Sequence, residues 1–379
     1  MPSEVYGITL RTHFKEHLSQ KMLRLFKALK PEEFVSPRAL WAVKIHFGER
    51  GGHAFIRPHF VRVFVDALKE FGAKPFVTDA NTLYVGGRSN SVDHLETALG
   101  HGFGSEVTGA PLIIADGLTG KSEVGVKVDR GGIKTAWIGA DFMAADGVVV
   151  LSHVKGHELT GFGGALKNLG MGAASRRGKL DQHSDLKPKV KAKKCIGCRR
   201  CFTQCAHQAI FMEEKKAHIN TDKCVGCASC IPVCPKEAIL IPWDADAPKF
   251  MKKMMEYSKA ALSSKGERAL YVNFVTNLSP LCDCVNHSDA PIASDIGILA
   301  SSDPVALDLA SAELVNQAPG LPGSALPPEA QAPGADKWEA LHPGCQWRYQ
   351  LEYAAKIGLG SLDYRLTWLP EVFSDSEEE

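Results

Sequence analysis

Strand-like segments that alternate with amphipathic helices predict an α/β protein, a mostly parallel sheet with helices, interrupted by a small cysteine-rich module. Two further observations support this class. Eight of the eleven cysteines crowd between residues 191 and 242, where the apolar periodicity stops, and the α/β alternation resumes beyond them. Such alternation is the signature of βαβ units.

The elements follow in order. The polar opening stretch reads as helical, and Ala39 to Phe47 as a strand. From His59 to Phe71 an amphipathic helix is expected, with Phe60, Phe64, Ala67, Leu68 and Phe71 on one face and Gly72 placed to stop it. Pro75 to Thr78, Leu112 to Ala115 and Val148 to Leu151 are strand-like. After the module, Lys249 to Leu262 reads as a helix and Ala269 to Val275 as a buried strand. Asp303 and Pro304 open a further helix, with an acid at the N-cap and proline at the first position. The domain reading is therefore an α/β domain in two parts, 1–190 and 243–316, around a module at 191–242. A Pro/Ala/Gly-rich loop spans 317–336, and a C-terminal segment, 337–379, ends in an acidic tail from Ser374.

Bulk composition excludes several classes. With 379 residues and 45% hydrophobic content the chain is that of a soluble globular protein. Met1 to Lys30 has neither an apolar targeting core nor a twin-arginine pair, and no run approaches the ~20 apolar residues of a membrane span. A cytoplasmic protein without a membrane partner is expected. A net charge of +1 argues against a nucleic-acid partner, which calls for a basic excess. Eleven cysteines in such a chain point to metal ligation rather than a disulfide framework.

Cys195, Cys198, Cys201 and Cys205 follow the spacing C-x2-C-x2-C-x3-C, and Cys224, Cys227, Cys230 and Cys234 repeat it, with Pro235 after the last. Three cysteines two residues apart wrap one corner of a cubane, and small residues such as Gly197 and Gly226 let backbone amides approach its sulfurs. In two-cluster ferredoxins the fourth cysteine of each run ligates the other cluster. The expected sets are Cys195, Cys198, Cys201 with Cys234, and Cys224, Cys227, Cys230 with Cys205. Zinc also takes four thiolates, but through pairs of C-x2-C rather than interlocked quartets.

The runs align beyond their ligands, Lys-Lys-Cys-Ile-Gly-Cys against Asp-Lys-Cys-Val-Gly-Cys, with Ala209-Ile210 and Ala238-Ile239 placed equivalently. This resembles the duplication of bacterial two-cluster 4Fe-4S ferredoxins and makes the module ferredoxin-like, with Ala206 standing where proline is usual. Two 4Fe-4S clusters held this close make more sense as a relay than as structural pins, so low-potential electron transfer to a redox partner protein is expected. Lys187, Lys189, Lys191, Lys193, Lys194, Arg199 and Arg200 crowd the first run, either as a solvated approach or as a docking face for an acidic partner. A homo-oligomer remains open.

The flanking domain carries the strings Val43-Lys44-Ile45-His46-Phe47-Gly48-Glu49, Asp79-Ala80-Asn81-Thr82-Leu83-Tyr84, His153-Val154-Lys155-Gly156-His157, Lys167-Asn168-Leu169-Gly170-Met171-Gly172 and Cys282-Asp283-Cys284, with Asp303-Pro304-Val305-Ala306-Leu307-Asp308 further on. Together they resemble domain-of-unknown-function family 362 over roughly residues 40 to 315. The resemblance implies an architecture rather than a reaction, and the family's frequent union with ferredoxin modules implies electron transport.

Two further site expectations concern this domain. The glycine-dense loop containing Gly163, Gly164, Lys167 and Asn168 can present backbone amides to an anion or simply pack closely. It fits neither the Walker nor the dinucleotide fingerprint. Cys282 and Cys284 follow a strand at the edge where open α/β sheets bind ligands. Two thiols in a C-x-C pair can share a metal or keep one reactive thiolate, against the plain alternative of buried thiols. His153 and His157 are the nearest candidate partners, with His46 and Asp79 behind them, for an additional metal or small ligand. A reductase fed by the clusters at this site is the alternative to a pure electron carrier.

Overall fold

The computed structural model describes residues 2–184, 187–241 and 246–371. The expected acidic tail from Ser374 and the module's end at 242 lie outside the described residues. Eight strands form the main sheet: β1 Ser3–Ile8, β2 Leu40–Lys44, β3 Lys74–Asp79, β4 Leu112–Ile114, β5 Gly147–His153, β6 Ala269–Val275, β7 Gly297–Ser301 and β8 Tyr364–Trp368. Their spatial order is β8-β1-β7-β6-β5-β2-β3-β4. β7 runs against both neighbours, and all other pairs are parallel. The fold is thus the expected mostly parallel α/β sheet.

The central strand β5 reads Gly-Val-Val-Val-Leu-Ser-His and is buried throughout, as a parallel strand covered on both faces must be. Val148 and Val150 face one core, with Met254, Leu307 and Ala310. Val149 and Leu151 face the other, with Phe26, Phe64 and Leu68. Helices α1 Leu18–Lys27 and α2 Pro58–Glu70 cover this second face. In α2 the buried stripe is Val61, Phe64, Val65, Ala67 and Leu68, slightly rotated from the expected one, so Phe60 and Phe71 lie at its margin. Gly72 ends the helix at φ +83°, a left-handed conformation that glycine adopts without strain. The first face is covered by α3 Ala165–Gly170, α4 Ala247–Leu262 and α5 Pro304–Gln317. The Asp303 carboxylate caps α5 by accepting from the amides of Val305 (2.8 Å) and Ala306 (3.0 Å).

Three expectations need correction. The opening stretch begins as β1, not as a helix, because Tyr6 to Ile8 pair with Ala300 to Ile298 across almost the whole sequence. The C-terminal segment is no appendage: β8 pairs with β1, and Trp338 is fully buried 5.4 Å from the Phe162 ring. The module starts earlier than residue 191, since Lys189–Val190 pairs with Ile239–Leu240 to form its neck.

Candidate functional site

Strand order reverses between β2 and β5: the chain runs from β2 outward to β3 and β4, then returns to β5 on the other side of β2. Ligands of open α/β sheets bind at the carboxyl ends of strands beside such a switch. A cavity of about 340 Å³ lies there, lined in part by His46, Asp79, His157, Lys167, Cys282 and Cys284. Most of the candidate residues of the flanking domain therefore converge.

Buried charges stand in and just behind the lining. Lys44 reaches from the end of β2 to Asp79 at the end of β3 (3.0 Å) and to Asn168 Oδ1 (2.6 Å). Arg88 lies 2.9 Å from His46 Nε2, 3.2 Å from Glu49 and 3.6 Å from Asp79, and donates to the Tyr84 hydroxyl at 2.8 Å. Lys167 Nζ stands 3.1 Å from Cys282 Sγ. The hydrogen bond from the Cys284 thiol, with the charges of Lys167 and Lys155, holds the Cys282 thiol well below its ordinary range. The Cys284 thiol is pushed up because it shares that hydrogen bond and is buried. Burial, followed by nearby cations, lowers His46 and His157 well below the usual imidazole value, so both rings are neutral. Lys179, which also lines the cavity, falls to about 8 through burial.

Two candidates take other roles. His153 does not line the cavity, because both ring nitrogens face oxygens: Asp283 Oδ1 at 2.8 Å on one side, the Thr276 and Asn277 carbonyls at 2.9 and 3.1 Å on the other. It anchors the Cys282-Asp283-Cys284 turn from behind. Two amides of the glycine loop, those of Ala165 (2.7 Å) and Leu166 (2.9 Å), donate to the Asp308 carboxylate. A Cβ on Gly164 would stand 2.3 Å from Asp308 Oδ1, so Gly164 serves this close approach, and Gly163 packs on the Lys167 stem. Of Gly163, Gly164, Lys167 and Asn168, the last two reach the cavity.

An additional metal meets three cations already in place: Arg88 at His46, Lys44 at Asp79 and Lys167 at Cys282. Among the described residues, no three His, Cys, Asp or Glu side chains form a group that would hold a single metal ion. Sequence reasoning missed Arg88, Tyr84, Lys155 and Lys179, all of which line the cavity. Tyr84 and Lys155 stand in the strings that carry the family resemblance, whereas Arg88 and Lys179 had no such signal.

In the module, one small cavity is lined by Cys195, Cys198, Cys201 and Cys234, and another by Cys205, Cys224, Cys227 and Cys230. Each takes three cysteines from one run and the fourth from the other. The halves repeat in backbone as well: φ is +70° and +73° at Gly197 and Gly226, +63° and +58° at Arg199 and Ala228, +49° and +46° at Gln208 and Glu237. Amides of Ala209 and Ala238 donate to the sulfurs of Cys205 (3.3 Å) and Cys234 (3.2 Å), and that of Ala217 to Cys195 (3.4 Å). Three of the eight sulfurs thus accept a backbone amide, as sulfur ligands of a bound group commonly do. Leu83 and Leu180 of the α/β domain pack into the module's core with Ile210, Ala228 and Ile231. Leu83 also lines the large cavity, so one side chain belongs both to the module's apolar core and to the cavity wall.

Fold and site define a class: a doubly wound α/β domain with a buried cationic cavity at its switch point and a duplicated cysteine module inserted in it. The chain belongs to the DUF362 family, described as a domain of unknown function, whose model matches residues 42–313. No curated protein sequence matches it. Among solved structures, a lactate racemase apoprotein from Thermoanaerobacterium thermosaccharolyticum is similar at 11% identity and a TM-score of 0.44, over 83% of this chain and 57% of that one. A protein from Thermotoga maritima is similar at 11% identity and a TM-score of 0.39, over 79% of this chain and 58% of that one. The chain thus spans less than three-fifths of either structure. Among the described residues no helix is long and apolar enough to cross a membrane.

Proposed function

We propose that this chain is an electron-transfer protein that holds two 4Fe-4S clusters in its cysteine module and passes electrons toward a ligand in the α/β cavity. The carrying observation is the grouping of the eight cysteines into two crossed sets, each around its own cavity. When bound, the clusters supply one-electron chemistry. The chain's own residues do the rest: each set offers four cysteine sulfurs, the amides of Ala217, Ala209 and Ala238 donate to the sulfurs of Cys195, Cys205 and Cys234, and Leu83 packs between the module's core and the cavity.

An acidic redox partner, in the cytoplasm, fits the exposed face of the first run. Lys191, Lys193, Lys194, Arg199 and Arg200 are exposed there, around an exposed Ile196 and Phe202 and beside the exposed Cys198. Charge steers such an encounter and the apolar pair gives it a dry centre. Reduction of a ligand in the cavity is supported over a carrier role by Leu83, which belongs to the module's apolar core and to the cavity wall alike.

The test is anaerobic purification with iron, sulfide and zinc analysis. About eight irons and eight sulfides per chain are expected from two four-cysteine sets, together with a paramagnetic species on dithionite reduction. Four irons, or stoichiometric zinc, would sink the proposal.

A further inference from the structure

We propose that the cavity at the sheet's carboxyl edge binds a small organic acid, its carboxylate received by Lys167 and Lys179 and its carbon body by Phe250, Met171 and Leu83. The inference deepens, and rests on, the reading of this cavity as the place where electrons are received.

Charge carries the argument first. Arg88, Lys155, Lys167 and Lys179 line the cavity against only two carboxylates, Asp79 and Glu158. Asp79 is engaged by Lys44 and Arg88, and the Glu158 side chain is 67% exposed. Lys155 has Asp283 at 3.7 Å. Lys167 is paired with the sulfur of Cys282; Lys179 donates to the Ala174 carbonyl and feels the more distant Asp116 and Asp79, with no carboxylate within ion-pair distance among the described residues. Both lysines are nevertheless buried. A buried ammonium costs several kcal/mol unless an anion accompanies it, and the depressed Lys179 reflects that cost. The neutral imidazoles of His46 and His157 add no charge.

The rest of the lining selects the kind of anion. Inorganic phosphate is commonly received by backbone amides at a helix start or glycine loop, and here the amides of Ala165 and Leu166 belong to Asp308. The walls are otherwise carbon: Leu83, Met171, Phe250 and Val285, with the rings of His157 and His183 stacked on Phe250 at centroid distances of 6.2 and 4.7 Å. A volume of about 340 Å³ sits at the lower end of the ~300–1,000 Å³ typical of ligand pockets. A compact acid with a flat or short carbon body matches both features.

The anaerobically prepared full chain is titrated calorimetrically with benzoate, pyruvate and succinate, and with benzamide and inorganic phosphate, at constant ionic strength. At least one carboxylate should bind, and benzamide roughly tenfold or more weaker than benzoate, since the contacts are charge-assisted. Lys167→Met and Lys179→Met should each weaken the carboxylate roughly tenfold or more, whereas Lys127→Met, on an exposed hairpin, should change nothing. The bound carboxylate should also slow alkylation of Cys282 by iodoacetamide, a readout that holds if one lysine variant fails to fold. Absence of carboxylate binding, phosphate binding tighter than every carboxylate, or affinity unchanged in both lysine variants would overturn the proposal. Iron counts on the same sample separate the two readings: binding by iron-free chain defeats electron transfer alone, and loaded chain that binds no carboxylate defeats this inference alone.

Discussion

Lys167 and Cys282, 115 positions apart in sequence, meet inside the protein with ammonium and sulfur 3.1 Å apart. An ammonium at that distance favours the thiolate over the thiol. Lys167→Met should therefore raise the Cys282 thiol toward its ordinary range and slow its alkylation at pH 7 roughly tenfold. The rate, followed by mass spectrometry of the Cys282 peptide, checks this; an unchanged rate would show that Lys167 does not set its reactivity.

Cys205 lies in the first run but lines the cavity of Cys224, Cys227 and Cys230. In Cys205→Ser the spectroscopic signal of that second set should be disturbed while the set of Cys195, Cys198, Cys201 and Cys234 keeps its own. Loss of the first set instead would mean the ligands are not crossed.

Asp308 accepts from Ala165 (2.7 Å), Leu166 (2.9 Å) and the Asn273 amide (2.8 Å), tying α3 to β6 and α5. Asp308→Ala leaves these buried donors unmet and should cost roughly 2–4 kcal/mol. Urea denaturation measures it, and a loss below ~1 kcal/mol would show that water or relaxation replaces the carboxylate.

His94 and His183 are held down to about 3, mainly by burial. Their folded values lie below the unfolded value of about 6.5, so the unfolded chain takes up protons that the folded chain declines. Stability should be full above about pH 7 and fall as pH drops from 6.5 toward 3, by roughly 1 kcal/mol per pH unit for each ring. Urea midpoints at pH 7.5, 6 and 5 test the trend. His94→Gln should show a shallower fall, and an equal slope would remove His94 as a cause.

Local signals carried much of the fold. Ala269–Val275 is a strand over its whole expected length, because every residue is apolar or paired and turns bound it, and Asp303-Pro304 opens α5 as its cap chemistry requires. The start of the chain was misread because β1 owes its form to partners some 300 residues away, which local polarity does not reveal. Cys282, Cys284, His157, His46 and Asp79 share a place after strand ends in the sequence, and in the fold they line one cavity. His153 shares that place yet turns back to Asp283, since side-chain direction depends on neighbours that no motif names. Lys179 was invisible for a related reason: it sits in the helix Arg176–His183, where a lysine reads as solvated, and only the packed fold buries it.

The interleaving of the two cysteine sets also orders their birth on the ribosome. The set of Cys205, Cys224, Cys227 and Cys230 has all its members once residue 230 has been synthesised, while the set that begins with Cys195 waits for Cys234. The half that is translated first is therefore the last to be completed. A nascent chain halted between the runs would hold three thiols of one set and a single thiol of the other, so neither cavity can be lined in full by one run alone.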